Sequence, residues 1–142
     1  MTWHAEIPYR VPYADTDQMG VVYYANFFVY FERVRNEVLR ELGVTYLEFE
    51  AGGHQLPVRE ARCNYKAPAR YDDLLTIRAR FETAAPFVRL SAHCDVACGD
   101  RVLATGFTEH VCVNRTSGRP TPLPEAVVNA INTHPTRNTA NG

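Results

Sequence analysis

The chain has 142 residues, 46% of them apolar and 22% charged, and a formal charge of −1 at neutral pH. That balance describes one domain with a sizeable core and excludes a disordered chain and a nonspecific nucleic-acid binder, which would need a basic face. No apolar stretch reaches the roughly 20 residues that span a bilayer, and the first ten residues, with Glu6 and Pro8, lack the apolar run of a secretory signal, so a cytoplasmic protein with no membrane span is expected.

Residues 4–12 read as a first strand, because Ile7, Tyr9 and Val11 alternate with polar neighbours. Asp15-Thr16-Asp17-Gln18, closing at Gly20, is turn chemistry. A helical pattern follows. Phe27, Phe31, Val34, Val38 and Leu42 recur at spacings of four and three, and Phe28 and Leu39 widen the same stripe. Gly43 is placed to end that helix as its C′ residue.

Beyond the helix the period changes to two. Strands are expected at residues 55–66, 74–82, 87–97 and 102–113, with short connections around Ala85-Pro86 and Gly99-Asp100 that make the last three consecutive antiparallel hairpins. A short helix is expected over 124–131. Residues 1–132 form a single domain in this reading, and the polar tail 133–142 frays. Strand, long helix and four strands are most simply satisfied by an α+β fold, a five-stranded antiparallel sheet wrapped around one helix.

The four cysteines (63, 94, 98 and 112) do not form a C-x-x-C pair, and the five histidines are scattered. Free thiols and no metal site are expected. His93 and His110 fall within strands and read as structural.

The segment between the first strand and the helix carries the chemistry. Asp15, Asp17 and Asn26 lie beside a helix start. There they could cap orphan N–H groups, or a carboxylate could serve as nucleophile or base while free N–H groups hold an oxyanion. Gly20 would let a substrate approach the backbone closely.

The run from Arg10 to Val22, R-V-x4-T-D-x2-G-V-V, continued by Tyr23-Tyr24-Ala25-Asn26, resembles the active-site signature of the 4-hydroxybenzoyl-CoA thioesterase family, nearest to its YbgC-type acyl-CoA thioesterase branch. The likeness continues through Phe31-Glu32-Arg33-x-Arg35 and, more weakly, through Tyr65-Lys66-x-Pro68-Ala69-Arg70-x-Asp72-Asp73. It implies the hotdog fold, an acyl-CoA substrate, no cofactor, and a homo-oligomer, dimer or tetramer, with sites at subunit interfaces. By resemblance Asp17 matches the catalytic carboxylate and the Tyr24 N–H the oxyanion donor. Gly20, Val21, Asn26 and Glu32 match substrate-binding positions, Glu32 with an exposed or pocket-edge helix charge as the simpler alternative, whereas Asp15 reads as structural. Many relatives of this branch carry His where this chain has Tyr24; a backbone donor does not depend on that side chain. Lys66, Arg70 and Arg89 are candidates for the CoA phosphates, with solvated strand charges as the simpler alternative. Two other readings are a noncatalytic acyl-CoA or acyl-carrier binding module and a hotdog dehydratase or hydratase. The second is disfavoured by the absence of a His in the loop before the helix.

Overall fold

A computed structural model describes residues 2–133 and the backbone of 137–138. In chain order, β1 (Thr2–Trp3) and β2 (Ala5–Arg10) lead through a 3-10 turn at Tyr13–Asp15 to α1 (Asn26–Glu41) and α2 (Tyr46–Ala51). Then come β3 (His54–Gln55), β4 (Val58–Tyr65), β5 (Leu74–Glu82), β6 (Arg89–Cys98), β7 (Arg101–Val111) and β8 (Val113–Asn114). The chain closes with α3 (Glu125–Thr133) and β9 (Arg137–Asn138). Five strands form one antiparallel sheet in the order β2-β5-β6-β7-β4, with β2 and β4 at its edges. The short strands pair separately, β1 with β9 and β3 with β8. Of the tail expected to fray, Thr133 ends α3 and Arg137–Asn138 pair with Thr2–Trp3, while the remainder lies outside the described residues.

The alternation in β5 decides its two faces. Leu75, Ile77, Ala79 and Phe81 are buried, and β6 contributes Leu90, Ala92, Cys94 and Val96 to the same face. Against that face lies α1, whose Phe27, Tyr30, Phe31, Val34, Val38 and Leu39 are buried. The helix ends in a Schellman motif: Gly43 takes φ +93°, its N–H donates to the Arg40 carbonyl and the Val44 N–H to the Leu39 carbonyl, both at 3.0 Å.

The helix seats in a transverse row of small residues. Ala5, Ala79, Cys94, Gly106 and Cys63 stand opposite one another across all five strands. Directly opposed residues share a face, so this row is a trough on the helix side. A Cβ at Gly106 would lie 2.3 Å from the Phe31 ring, so only glycine admits the ring at this depth.

Two features depart from the expected pattern. The strand expected at 55–66 is broken at Leu56-Pro57 into β3 and β4, because proline supplies no ladder donor. The helix α2 was not expected, although Thr45 and Glu48 form a complete capping box. On the outer face, Arg78 pairs with Asp95 directly across the strands, Nε to Oδ1 at 2.6 Å, over the Trp3 ring.

Gly106→Ala is expected to destabilise the fold by about 1–3 kcal/mol, the usual cost of overpacking, read as a lower midpoint in denaturant unfolding. Adding Phe31→Leu, which vacates the ring volume, should give a double variant less destabilised than the sum of the two single costs.

Candidate active site

The segment from Tyr13 to Asn26 holds its shape through one carboxylate. Asp15 Oδ2 accepts hydrogen bonds from the Tyr9 hydroxyl at 2.6 Å and the Tyr30 hydroxyl at 2.7 Å. The Asp15 carbonyl accepts from the Tyr23 N–H and from Asn26 Nδ2, each at 2.9 Å. One residue thus ties β2, the loop and the first turns of α1 together. Burial, reinforced by Asp15, pushes the Tyr9 phenol up to about 12 and raises Tyr30 as well, so both phenols remain protonated donors at neutral pH.

Two residues on, Asp17 is treated differently. Its N–H donates to the Val21 carbonyl and its carbonyl accepts from the Gly20 N–H, both at 2.9 Å. Its Oδ1 accepts from the Met19 N–H at 2.9 Å, an Asx turn. Among the described residues nothing donates to Oδ2. Gly20 takes φ +80°, a conformation that favours glycine, and closes the turn so that Thr16 and Val22 bridge. The loop is strapped to the chain before β5 by the Val22 N–H, which donates to the Ala69 carbonyl at 2.7 Å, and by a Val21–Arg70 bridge.

The helix start bears no side-chain cap, so neither Asp15, Asp17 nor Asn26 takes the capping role their positions allow. Helical bonding begins with the Asn26 N–H to the Tyr23 carbonyl at 2.9 Å and the Phe27 N–H to the Tyr24 carbonyl at 3.3 Å. The N–H groups of Tyr24 and Ala25 have no acceptor among the described residues. Free donors at the positive end of a 16-residue helix favour negative charge.

Beside them opens a cleft of about 370 Å³ lined by Val21, Tyr24, Phe27, Tyr65 and Lys66, among others. Tyr65 was not among the expected site residues. Its hydroxyl donates to the Tyr24 carbonyl at 2.9 Å and its ring meets Phe27 edge-on at 5.3 Å, so β4 braces the turn that presents the Tyr24 N–H. Its place at the head of the Tyr65-Lys66-x-Pro68 motif was the available signal.

The expected site residues therefore divide. Asp17, Gly20, Val21, Tyr24 and Asn26 share one loop and helix start, and Lys66 and Arg70 lie on the segment strapped to it. Glu32 lies elsewhere, at a second cavity of about 340 Å³ on the flank of α1, together with Arg35, Asn36, Tyr46, Phe81 and His110. Arg89 starts β6 at the opposite end of the sheet, 3.6 Å from Glu109, and does not adjoin the cleft. Among the described residues no three His, Cys, Asp or Glu side chains are grouped to hold a metal, and no helix is long and apolar enough to cross a membrane.

Fold and site together define a hotdog protein with an acidic loop at the mouth of its central helix, and the chain belongs to the thioesterase-like superfamily, which it matches over residues 11–131. It is 32% identical to the acyl-CoA thioester hydrolase YbgC of Escherichia coli over 121 residues, 85% of this chain and 90% of that one. It is 28% identical to a 1,4-dihydroxy-2-naphthoyl-CoA hydrolase of Synechococcus, covering 86% of this chain and 85% of the relative. The crystal structure of a 1,4-dihydroxy-2-naphthoyl-CoA thioesterase from Synechocystis superposes with a TM-score of 0.84 at 26% identity, over 95% of this chain and 100% of that one.

Asp15→Ala should remove two charge-assisted bonds and destabilise the protein by about 2–4 kcal/mol, measured by thermal unfolding. A second effect concerns His110, which is buried between Thr108 Oγ1 at 3.0 Å and the Leu56 carbonyl at 3.1 Å. The carbonyl can only accept, so the neutral ring carries its proton on Nδ1. Burial pushes this imidazole down to about 4. The unfolded chain then takes up the proton first as the pH falls. The neutral ring's contribution is complete above about pH 6.5 and is lost towards pH 4, on the order of 3 kcal/mol. His110→Gln should flatten the stability profile in that window.

Proposed function

We propose that the chain hydrolyses an acyl-CoA thioester to free acid and CoA, with the Asp17 carboxylate as nucleophile or general base and the Tyr24 N–H as oxyanion donor. The observation that carries the reading is the pairing of an Asp17 oxygen without a donor and a helix-start N–H without an acceptor among the described residues, on one braced loop beside a cleft. The membership of the thioesterase-like superfamily and the coenzyme A thioester named for relatives on either side of it support the same conclusion.

The chemistry needs little more. A thiolate leaves readily, so the barrier lies mainly in forming the tetrahedral intermediate, whose oxyanion the Tyr24 N–H and the helix dipole stabilise. Asp17 either attacks the carbonyl carbon, expelling CoA thiolate and leaving a mixed anhydride that water then cleaves, or takes a proton from an attacking water. Val21 lines the cleft, and Gly20 closes the turn that leads into it; both are assigned to the substrate's approach. Asn26 acts through its bond to the Asp15 carbonyl, which sets the helix start. Lys66 lines the cleft, Arg70 bridges Val21 beside it, and both are assigned to the CoA phosphates.

The exposed edge of β4 supports a second element of the proposal, assembly through strand pairing with another copy. Four free cysteines fit a reducing compartment such as the cytoplasm.

Release of thiol from a panel of aliphatic and aromatic acyl-CoAs tests the reading. Asp17→Asn should lower kcat by at least about 10²-fold with an unchanged unfolding midpoint, whereas Tyr24→Phe, which keeps the backbone donor, should stay within a few-fold of the parent. Equal turnover by the Asp17→Asn variant would sink the assignment. Acyl-CoA binding without turnover by the parent protein would indicate a binding module.

A further inference from the structure

The cavity on the flank of α1 holds the Arg35 guanidinium, which has no hydrogen-bonded or ion-paired partner among the described residues, although the Glu32 carboxylate lines the same space. Arg35 projects from the third turn of α1 into the space of about 340 Å³ that Leu39, Leu56, Phe81 and Leu90 otherwise make apolar. Among the described residues no carboxylate or carbonyl pairs with its guanidinium, and Glu32 and Tyr46 reach it only through space. The cost of that burial is visible in the guanidinium itself, which is held below its ordinary range chiefly by desolvation. A desolvated cation is retained in a fold when something pairs with it. Asn36 and Tyr46 add neutral polar groups to the same wall. His110 adds no charge at neutral pH and both its ring nitrogens are engaged.

The position of the cavity says what the partner is. The cleft beside the Tyr24 N–H is bounded by Phe27 and Tyr65, and the Arg35 cavity by Leu39 and Val58. They occupy opposite ends of one flank, between α1 and the edge strand β4. If β4 pairs antiparallel with a second copy about its midpoint, Val58 of one protomer stands opposite Tyr65 of the partner subunit. The Arg35 cavity of each protomer then adjoins the cleft at the helix start of the other.

We propose that this cavity is the distal acyl subsite of the thioesterase proposed above, and that Arg35 selects acyl groups ending in a carboxylate. The apolar walls hold the carbon body, and the guanidinium fork donates two hydrogen bonds to the terminal carboxylate, a geometry that a neutral acyl group cannot satisfy. Arg35 is thus a specificity residue, separate from the groups that break the thioester.

Matched substrates test this. Succinyl-, glutaryl- and adipoyl-CoA are compared with butyryl-, pentanoyl- and hexanoyl-CoA, using the full chain. The parent protein is expected to show kcat/KM about tenfold or more higher for the carboxylated series. Arg35→Met, which keeps the volume, should erase that preference while leaving the neutral series unchanged, and Arg35→Lys should restore part of it. Equal rates for the two series, as when a carboxylate of the partner subunit occupies the guanidinium, overturn the proposal, as does an Arg35→Met variant that lowers both series alike. If Arg35→Met does not fold, the ratio measured on the parent protein decides. If no acyl-CoA is turned over, the hydrolase reading falls, and calorimetric binding separates the two ideas: tighter binding of adipoyl- than hexanoyl-CoA upholds Arg35, and equal binding overturns it.

Discussion

Everything in this fold hangs on how closely α1 approaches its sheet. The approach is set where the Phe31 ring lies over Gly106, in the trough formed by Ala5, Ala79, Cys94, Gly106 and Cys63. A close-packed interior tolerates neither the extra atom nor the missing one. With Phe31 seated, the helix has one depth and one rotation. Its first turn is then delivered to a defined place at the sheet edge, where Tyr65 of β4 and Asp15 of the loop meet it from opposite sides.

Two carboxylates two residues apart carry opposite duties. Asp15 spends its side chain on two phenols and its carbonyl on the helix start, so it is part of the frame. Asp17 spends one oxygen on shaping its own turn. The division follows from the two turns. Asp15 ends the 3-10 turn with its carboxylate bonded to Tyr9 and Tyr30, whereas Asp17 opens the turn closed by Gly20, where the Met19 N–H donates to its Oδ1.

Much of this was legible in the sequence because it repeats. The strands of period two and the aromatic stripe of α1 announce their own buried faces, and Gly43 marks the helix end. The loop was legible as a motif, through Thr16-Asp17-x-x-Gly20. What was hidden depends on contacts between distant segments. Gly106 is an ordinary strand residue until Phe31 is laid over it, and Tyr65 joins the site only because β4 returns to the helix start. Glu32 and Arg89 went to other places for the same reason: their distance from the loop is a property of the packing, not of spacing along the chain. The helix α2 is a different case, since Thr45-x-x-Glu48 stood in plain view but is only six residues long and follows a strong stop at Gly43.

The break at Leu56-Pro57 has a wider consequence. It frees β4 from β3 and leaves the edge strand to border both the cleft and the Arg35 cavity, while the acidic loop is anchored to β2, α1 and the segment before β5. A change along β4 therefore reaches two places at once: the cavity, through Val58, and the helix start itself, through the Tyr65 hydroxyl on the Tyr24 carbonyl.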